Sequence, residues 1–257
     1  MRATYDRSMA IYLCHEQPAL YEHPAVVASL RPGAVALDRS AFHPGGGGQV
    51  GDIGSIVVDG RTLAVAGIEI EATPDGDVWW HRIDETAGPA LGDPVLGDDL
   101  LVRIDADHRH RVASLHTMSH VLNAFVFDEF AGSLVTGASI GGDGTGRMDF
   151  DLSAIDNDRL RALEAPVNEV IGRGLAVEAV YISANDAAST PGLVRSLSVA
   201  PPPTPDGRLR LIDIDGLDRQ ACGGTHLSNT AESPRFRITK IENKGKRNRR
   251  IRFASAD

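Results

Sequence analysis

His116 and His120 stand four residues apart, and Cys222 and His226 stand four apart around a Gly-Gly pair, so two short stretches supply one thiol and three imidazoles. Side chains four apart share a helix face, so a helix over the first pair aims both rings at one point. In Cys222-Gly223-Gly224-Thr225-His226, two residues without side chains let the backbone close around a ligand. One cysteine with three histidines suits Zn2+, which takes sulfur and nitrogen donors in tetrahedral array. Taken singly, a helical histidine pair reads more simply as a polar surface feature, and a cysteine in a glycine-rich turn as structural. The four together point to a metal centre. Metalloprotease chemistry is set aside, because Thr117 stands where those enzymes carry the glutamate that deprotonates water.

The pair needs a helix to hold it, and Asp107 to Phe130 provides one: Val112, Leu115, Leu122, Phe125 and Val126 recur at helical spacing without Gly or Pro. Before it, residues 1–105 read as an all-β domain with strands at Val35–Asp38, Ile53–Val58, Leu63–Ile70, Val78–Ile83 and Leu100–Ile104. Turns are expected at Asp59-Gly60 and Pro74–Gly76, with a linking loop from Gly88 to Asp99. After it, residues 106–257 read as α+β. A glycine-rich hairpin, Gly137–Gly146, leads to a strand at Arg147–Phe150, and a second helix runs from Asp156 towards Ile171, kinked or shortened by Pro166. Strands at Val177–Ile182, Leu209–Ile214, Phe236–Ile241 and Arg249–Phe253 follow, with a surface loop at Pro201–Pro205.

With 42% hydrophobic and 24% charged residues over 257 positions, the composition is that of a soluble globular protein with room for two domains. Two cysteines give no disulfide framework, which indicates a reducing compartment. No basic-then-apolar leader and no run of about 18 apolar residues is present, so a cytoplasmic location is expected. A net charge of −9 argues on its own against a nucleic-acid partner. Yet Arg235 to Arg252 holds nine basic residues against Glu242 alone, net +8, leaving −17 elsewhere. That segment is either a solvated basic strand pair or a local contact for a polyanion.

The histidine pair and the CGGTH stretch resemble those of the alanyl-tRNA editing proteins, the free-standing relatives of the editing domain of alanyl-tRNA synthetase. Phe42-His43-Pro44-Gly45-Gly46-Gly47-Gly48-Gln49-Val50-Gly51-Asp52 is similar to the family's Gly-Gly-Gln loop, Arg147-Met148-Asp149-Phe150 to its Arg-x-Asp-Phe strand, and Lys-Ile-Glu-Asn-Lys-Gly with Arg249–Phe253 to its C-terminal end. Having both domains resembles the medium-length members. Two departures stand out: Gly45 replaces an acidic or serine residue common in the family, and Thr-Met-Ser replaces Thr-Ala-x between the histidines.

The resemblance implies an α+β fold, with a β-barrel-like first domain over 1–105 and a two-layer α/β editing domain with a zinc site over 106–257. It also implies a zinc-dependent deacylase that removes serine, and also glycine, from tRNA(Ala). Four protein ligands ordinarily close a zinc site, so substrate is expected to displace or join one of them, His226 being the candidate. Whether the metal activates water or orients the ester stays open.

Among other site residues, Thr117 either contacts the seryl hydroxyl or satisfies helix backbone. Gln49 either touches substrate through its amide or sits in a plain β-to-β connection. The loop lacks the Gly-Lys-Ser/Thr ending of a phosphate cradle, so ATP hydrolysis is not indicated. Arg147 and Asp149 either contact RNA or form a structural ion pair, and the structural role is favoured for both. Two competing readings remain: a non-catalytic tRNA-binding module with a structural zinc, and a zinc hydrolase of another small ester or amide.

Overall fold

The computed structural model describes residues 11–74, 76–84, 96–152, 156–190, 192–197 and 207–256. The chain forms two compact units, Met1–Gly45 with Gly51–Arg109, and Gly46–Val50 with His110–Asp257.

After β1 (Ile11–Tyr12) and a short helix α1 (Leu13–Glu16), the first unit is a closed six-stranded barrel. Its strands are β2 (Glu22–Arg31), β3 (Ala34–Leu37), β5 (Gly54–Val58), β6 (Arg61–Thr73), β7 (Gly76–Ile83) and β8 (Asp99–Ile104), while β4 (Arg39–Ser40) pairs with β1. The barrel order is β2-β3-β7-β6-β5-β8, and β8 returns to pair with β2, which leaves no open edge. Alternation builds the interior: Leu100, Val102 and Ile104 are buried while Asp99 and Arg103 face out. The Asp59-Gly60 turn joins β5 to β6 with φ of 50° and 74°, the mirror-image turn that hairpin twist favours.

Strand β2 lies outside the expected strands, and it carries Pro24, which a strand accommodates only where the ladder does not need its N–H. Pairing with β3 begins only at Val27, and Val26 N donates on that side to Asp38 Oδ1 (2.7 Å), so two residues earlier the missing N–H of Pro24 costs no ladder bond. Asp38 itself lies outside β3 for the same reason: its carboxylate caps β2. Thr73 pairs with Gly76 around the expected turn, of which Asp75 lies outside the described residues, as do residues 88–95 of the expected linking loop.

In the second unit, α2 (Ala106–Glu129) is buried along most of its length from His110 onward. Leu115, Met118, Leu122 and Val126 share one core with Phe150 and Phe253. A four-stranded antiparallel sheet has the order β14 (Arg235–Asn243), β15 (Asn248–Ala256), β10 (Thr145–Asp151), β9 (Leu134–Ile140). A three-stranded sheet joins β11 (Val177–Ile182), β12 (Leu209–Ile214) and β13 (Asp218–Ala221).

The expected second helix is two helices, α3 (Asn157–Ala162) and α4 (Glu164–Arg173), with a further short helix α5 (Ala184–Ser189) after β11. Asp156 caps α3, accepting from Asp158 N and Arg159 N, both at 3.0 Å. The ring of Pro166 clashes with a helical carbonyl four residues back, at Ala162 where α3 ends. In α4 the proline falls in the first turn, where its missing N–H is not needed. The glycine-rich hairpin is formed by β9 and β10, with the reversal confined to 141–144, where Gly141 N donates to Thr145 O (2.9 Å). The expected proline loop, Pro201–Pro205, lies outside the described residues. Among those described, no helix is long and apolar enough to cross a membrane.

Candidate metal centre

Strand β13 ends one residue before Cys222. Asp218, Gln220 and Cys222 alternate along β13 and just beyond it, which sends all three to one face. Ala221 N donates to Leu193 O (2.8 Å) and Cys222 N to Arg210 O (3.2 Å), so backbone fixes the entry to the turn. The buried Arg210 closes it by donating to the carbonyls of Cys222 (2.7 Å) and Gly224 (3.1 Å). A side chain at residue 224 has no room: a Cβ there would lie 2.2 Å from His116 Cε1 and 2.5 Å from Gln49 Oε1.

Turn and helix bring His116, His120, Cys222 and His226 together, all buried, with their ligand atoms within 4.8 Å of one another. Cys222 Sγ lies 3.5 Å from His116 Nε2 and 3.3 Å from His226 Nε2. Metal bonds of roughly 2.0–2.3 Å in a tetrahedron place donors about 3.5 Å apart, so these two spacings are of the size that a four-coordinate cation needs.

The protein also dictates which ring nitrogen faces the cluster. Gln49 Oε1 accepts from Thr225 N (3.0 Å) and Gln49 Nε2 donates to Thr225 Oγ1 (2.8 Å), which orients the amide. The nearby His116 Nδ1, 2.7 Å from that oxygen, must therefore donate, leaving Nε2 with a lone pair. Thr117 Oγ1 spends its one proton on Ala113 O (2.9 Å) and accepts from Leu227 N (3.1 Å). His226 Nδ1, at 3.2 Å, donates to it in turn and also keeps a free Nε2. His120 turns Nδ1 towards Asp218 Oδ2 at 3.9 Å. Asp218 is held by Arg195 (3.0 Å) and by Gln220, whose Oε1 accepts from Asn123 (2.7 Å). Such outer partners set tautomer and ring orientation in metal sites.

Electrostatics favour the ligand state of the thiol. Burial pushes the Cys222 thiol up, but the neighbouring His116, His226 and His120 outweigh it and hold it well below the usual thiol range. Burial opposes charge on His120 too, yet Cys222 and Asp218 overcome it and raise the imidazole to about 9. A proton held there is one that a metal ion must displace. His226 moves the other way, lowered by burial and by His116.

The glycine-rich loop does more than connect strands, since it holds Gln49 against His116. Gly46 and Gln49 exchange two backbone hydrogen bonds (2.9 and 3.0 Å), and Gly46, Gly47 and Gly48 all have positive φ, which aims Gln49 at His116. The loop is pinned to β9 by Ile140 N donating to Gly48 O (2.7 Å) and Val50 N to Ile140 O (3.2 Å). Replacing Gln49 with methionine keeps its bulk but removes the acceptor for His116. Metal affinity is expected to fall about 10- to 100-fold, measured by competition with a chromophoric chelator, while Gln49→Glu, which keeps the acceptor, loses less. Equal affinities for all three proteins would contradict that role.

Arg147 and Asp149 form the expected ion pair (2.8 Å), with Arg250 on the same carboxylate (2.7 Å). Asp218, Arg195 and Arg210 were not singled out from sequence. The two-residue alternation Asp218-x-Gln220-x-Cys222 was the available signal for the first of them; nothing local marks the other two.

The family model described as "Threonyl and Alanyl tRNA synthetase second additional domain" matches residues 209–252, a span that includes Asp218, Cys222 and His226. The chain is 37% identical over 226 residues to "Alanyl-tRNA editing protein AlaX-M" of Methanosarcina acetivorans, covering 87% of this chain and 89% of that protein. It is 33% identical over 220 residues to the protein of the same name from Saccharolobus solfataricus, covering 85% and 87% respectively. A 31% identical stretch of 221 residues in "Alanine--tRNA ligase" of Korarchaeum cryptofilum covers 86% of this chain but 23% of the ligase.

Proposed function

Because the chain belongs to the family of alanyl-tRNA editing proteins, we propose that it is a trans-editing ester hydrolase of the cytoplasm. In this reading it removes serine foremost, and also glycine, from mischarged tRNA(Ala), with Zn2+ held by His116, His120, Cys222 and His226. Residues 106–257 then form a two-layer α/β editing domain, residues 1–105 the barrel domain, and the basic segment Arg235–Arg252 an RNA contact.

The observation that carries this reading is the buried cluster in which protein groups engage the outer nitrogens of His116 and His226, leaving inner donors for one cation. Hydrolysis of an aminoacyl ester needs a positioned water and a stabiliser for negative charge on the carbonyl oxygen. Zn2+ bound there supplies Lewis acidity and a fixed positive charge for that chemistry. The protein's own groups keep the donors aimed: Gln49 holds His116, Thr117 holds His226, and Asp218 faces His120. Thr117 and Gln49 therefore act as positioning residues. The Thr117 hydroxyl can meet a seryl hydroxyl only by exchanging one of its present bonds, to Ala113 O, Leu227 N or His226.

A deacylation panel tests the reading. Seryl-tRNA(Ala) is expected to be hydrolysed fastest and alanyl-tRNA(Ala) spared, with activity lost on chelation, restored by Zn2+, and the fold retained throughout. A metal-loaded protein that hydrolyses none of the panel, and unfolds on chelation, would instead be a tRNA-binding module with a structural zinc. Hydrolysis insensitive to salt would indicate a small neutral ester as substrate.

A further inference from the structure

The outer face of the four-stranded sheet carries a row of cations that the metal centre does not use. Register places Lys240 opposite Arg252, Arg252 opposite Arg147, and Arg147 opposite Ser139, so one rung crosses β14, β15, β10 and β9. At about 4.8 Å per strand, three positive side chains occupy roughly 10 Å. Like charges directly opposite one another repel. The next rung, Glu242–Arg250–Asp149–Gly137, supplies the counter-charge. Glu242 accepts from Lys240 (3.0 Å) and Arg252 (3.1 Å), and Asp149 from Arg147 (2.8 Å).

These acids do not cover the row. The side chains of Lys240 and Arg252 stay 65% and 45% exposed, and Arg237, on the same strand as Lys240, is exposed as well. The charge sits in a chain of net −9, so it is local to this face. The aromatic residues of these strands, Phe150, Phe236 and Phe253, are all buried in the core. The face therefore offers cations without rings on which unpaired bases could stack, which suits the backbone of a duplex better than a single strand.

We propose that this face binds the phosphate backbone of duplex RNA, with Lys240, Arg252 and Arg147 as the central contacts and Arg237 beside them. The proposal rests on the tRNA-editing reading and deepens it by giving the duplex part of the tRNA a face to lie on. Glu242 is its damper: by holding two of the cations it weakens attachment to any polyanion.

The test is binding of a duplex minihelix with the acceptor-stem sequence across a salt series, for wild type, Lys240→Gln/Arg252→Gln and Glu242→Gln. Each lost phosphate contact lowers the slope of log Kd against log salt by about 1, so the double variant should lose about 2 and bind more weakly, and KM for seryl-tRNA should rise. Glu242→Gln should move the other way, tighter and steeper, which misfolding would not produce. Wild-type affinity and slope in both variants, or a single strand bound as tightly as the duplex, would overturn the proposal. If wild type deacylates seryl-tRNA while the variants bind unchanged, the surface assignment alone fails. If wild type deacylates nothing, the editing reading fails, and the salt series still decides the face.

Discussion

Cys222→Ser is expected to empty the centre and to slow seryl-tRNA deacylation by on the order of a thousandfold. Cys222 is the one donor of the four that carries negative charge, held low by the imidazoles around it. A serine hydroxyl in its place stays protonated and is a poor ligand for zinc. Metal contributes several kcal/mol to stabilising charge in such transition states, and each 1.36 kcal/mol is tenfold in rate. Because serine differs by one atom, the surrounding core should remain, so loss of metal and rate with unchanged near-ultraviolet circular dichroism is the expected pattern. Full metal content with wild-type turnover would contradict it.

The second large effect concerns stability. Arg109 and Asp52 form an ion pair in the first unit, their side chains 2% and 1% exposed, beside the start of the glycine-rich loop. Arg109 also donates to Asp52 Oδ1 (2.8 Å), Pro18 O (3.0 Å) and Ala41 O (2.6 Å), and Asp52 accepts from His43 N. Asp52→Ala leaves a buried guanidinium without its counter-charge, and urea unfolding should show a loss of about 3–5 kcal/mol. The Asp52→Leu/Arg109→Met double variant removes both charges and should be less damaging than the single change. A single variant that unfolds within about 0.5 kcal/mol of wild type, as substitutions at ordinary surface positions do, would show that the pair carries no such weight.

Local features were the legible ones. The helix over His116 and His120 follows from apolar spacing, and the CGGTH turn from two glycines between donors, one of which lies too close to His116 to carry a side chain. Their convergence depends on contacts between α2 and the turn about 110 residues apart in the chain, such as Leu227 N to Thr117 Oγ1, and the outer partners come with it: Arg210 is twelve residues from Cys222 and Gln49 is 67 from His116. Spacing along the chain carries no signal for such contacts. Strand β2 holds Pro24, whose acceptability depends on where β3 begins to pair, which the local sequence does not tell. The basic run at the C-terminal end was visible as charge. Its arrangement as a rung completed by Arg147 required the register of three strands.

The central claim is that four side chains from a helix and a turn enclose one cation. X-ray absorption at the zinc edge of the purified, zinc-loaded protein tests it most directly. One equivalent of metal with one sulfur neighbour and nitrogen neighbours from histidine is the predicted spectrum, and the sulfur signal should vanish in Cys222→Ser. A shell made only of oxygen and nitrogen, or tight zinc that Cys222→Ser leaves untouched, would contradict the account.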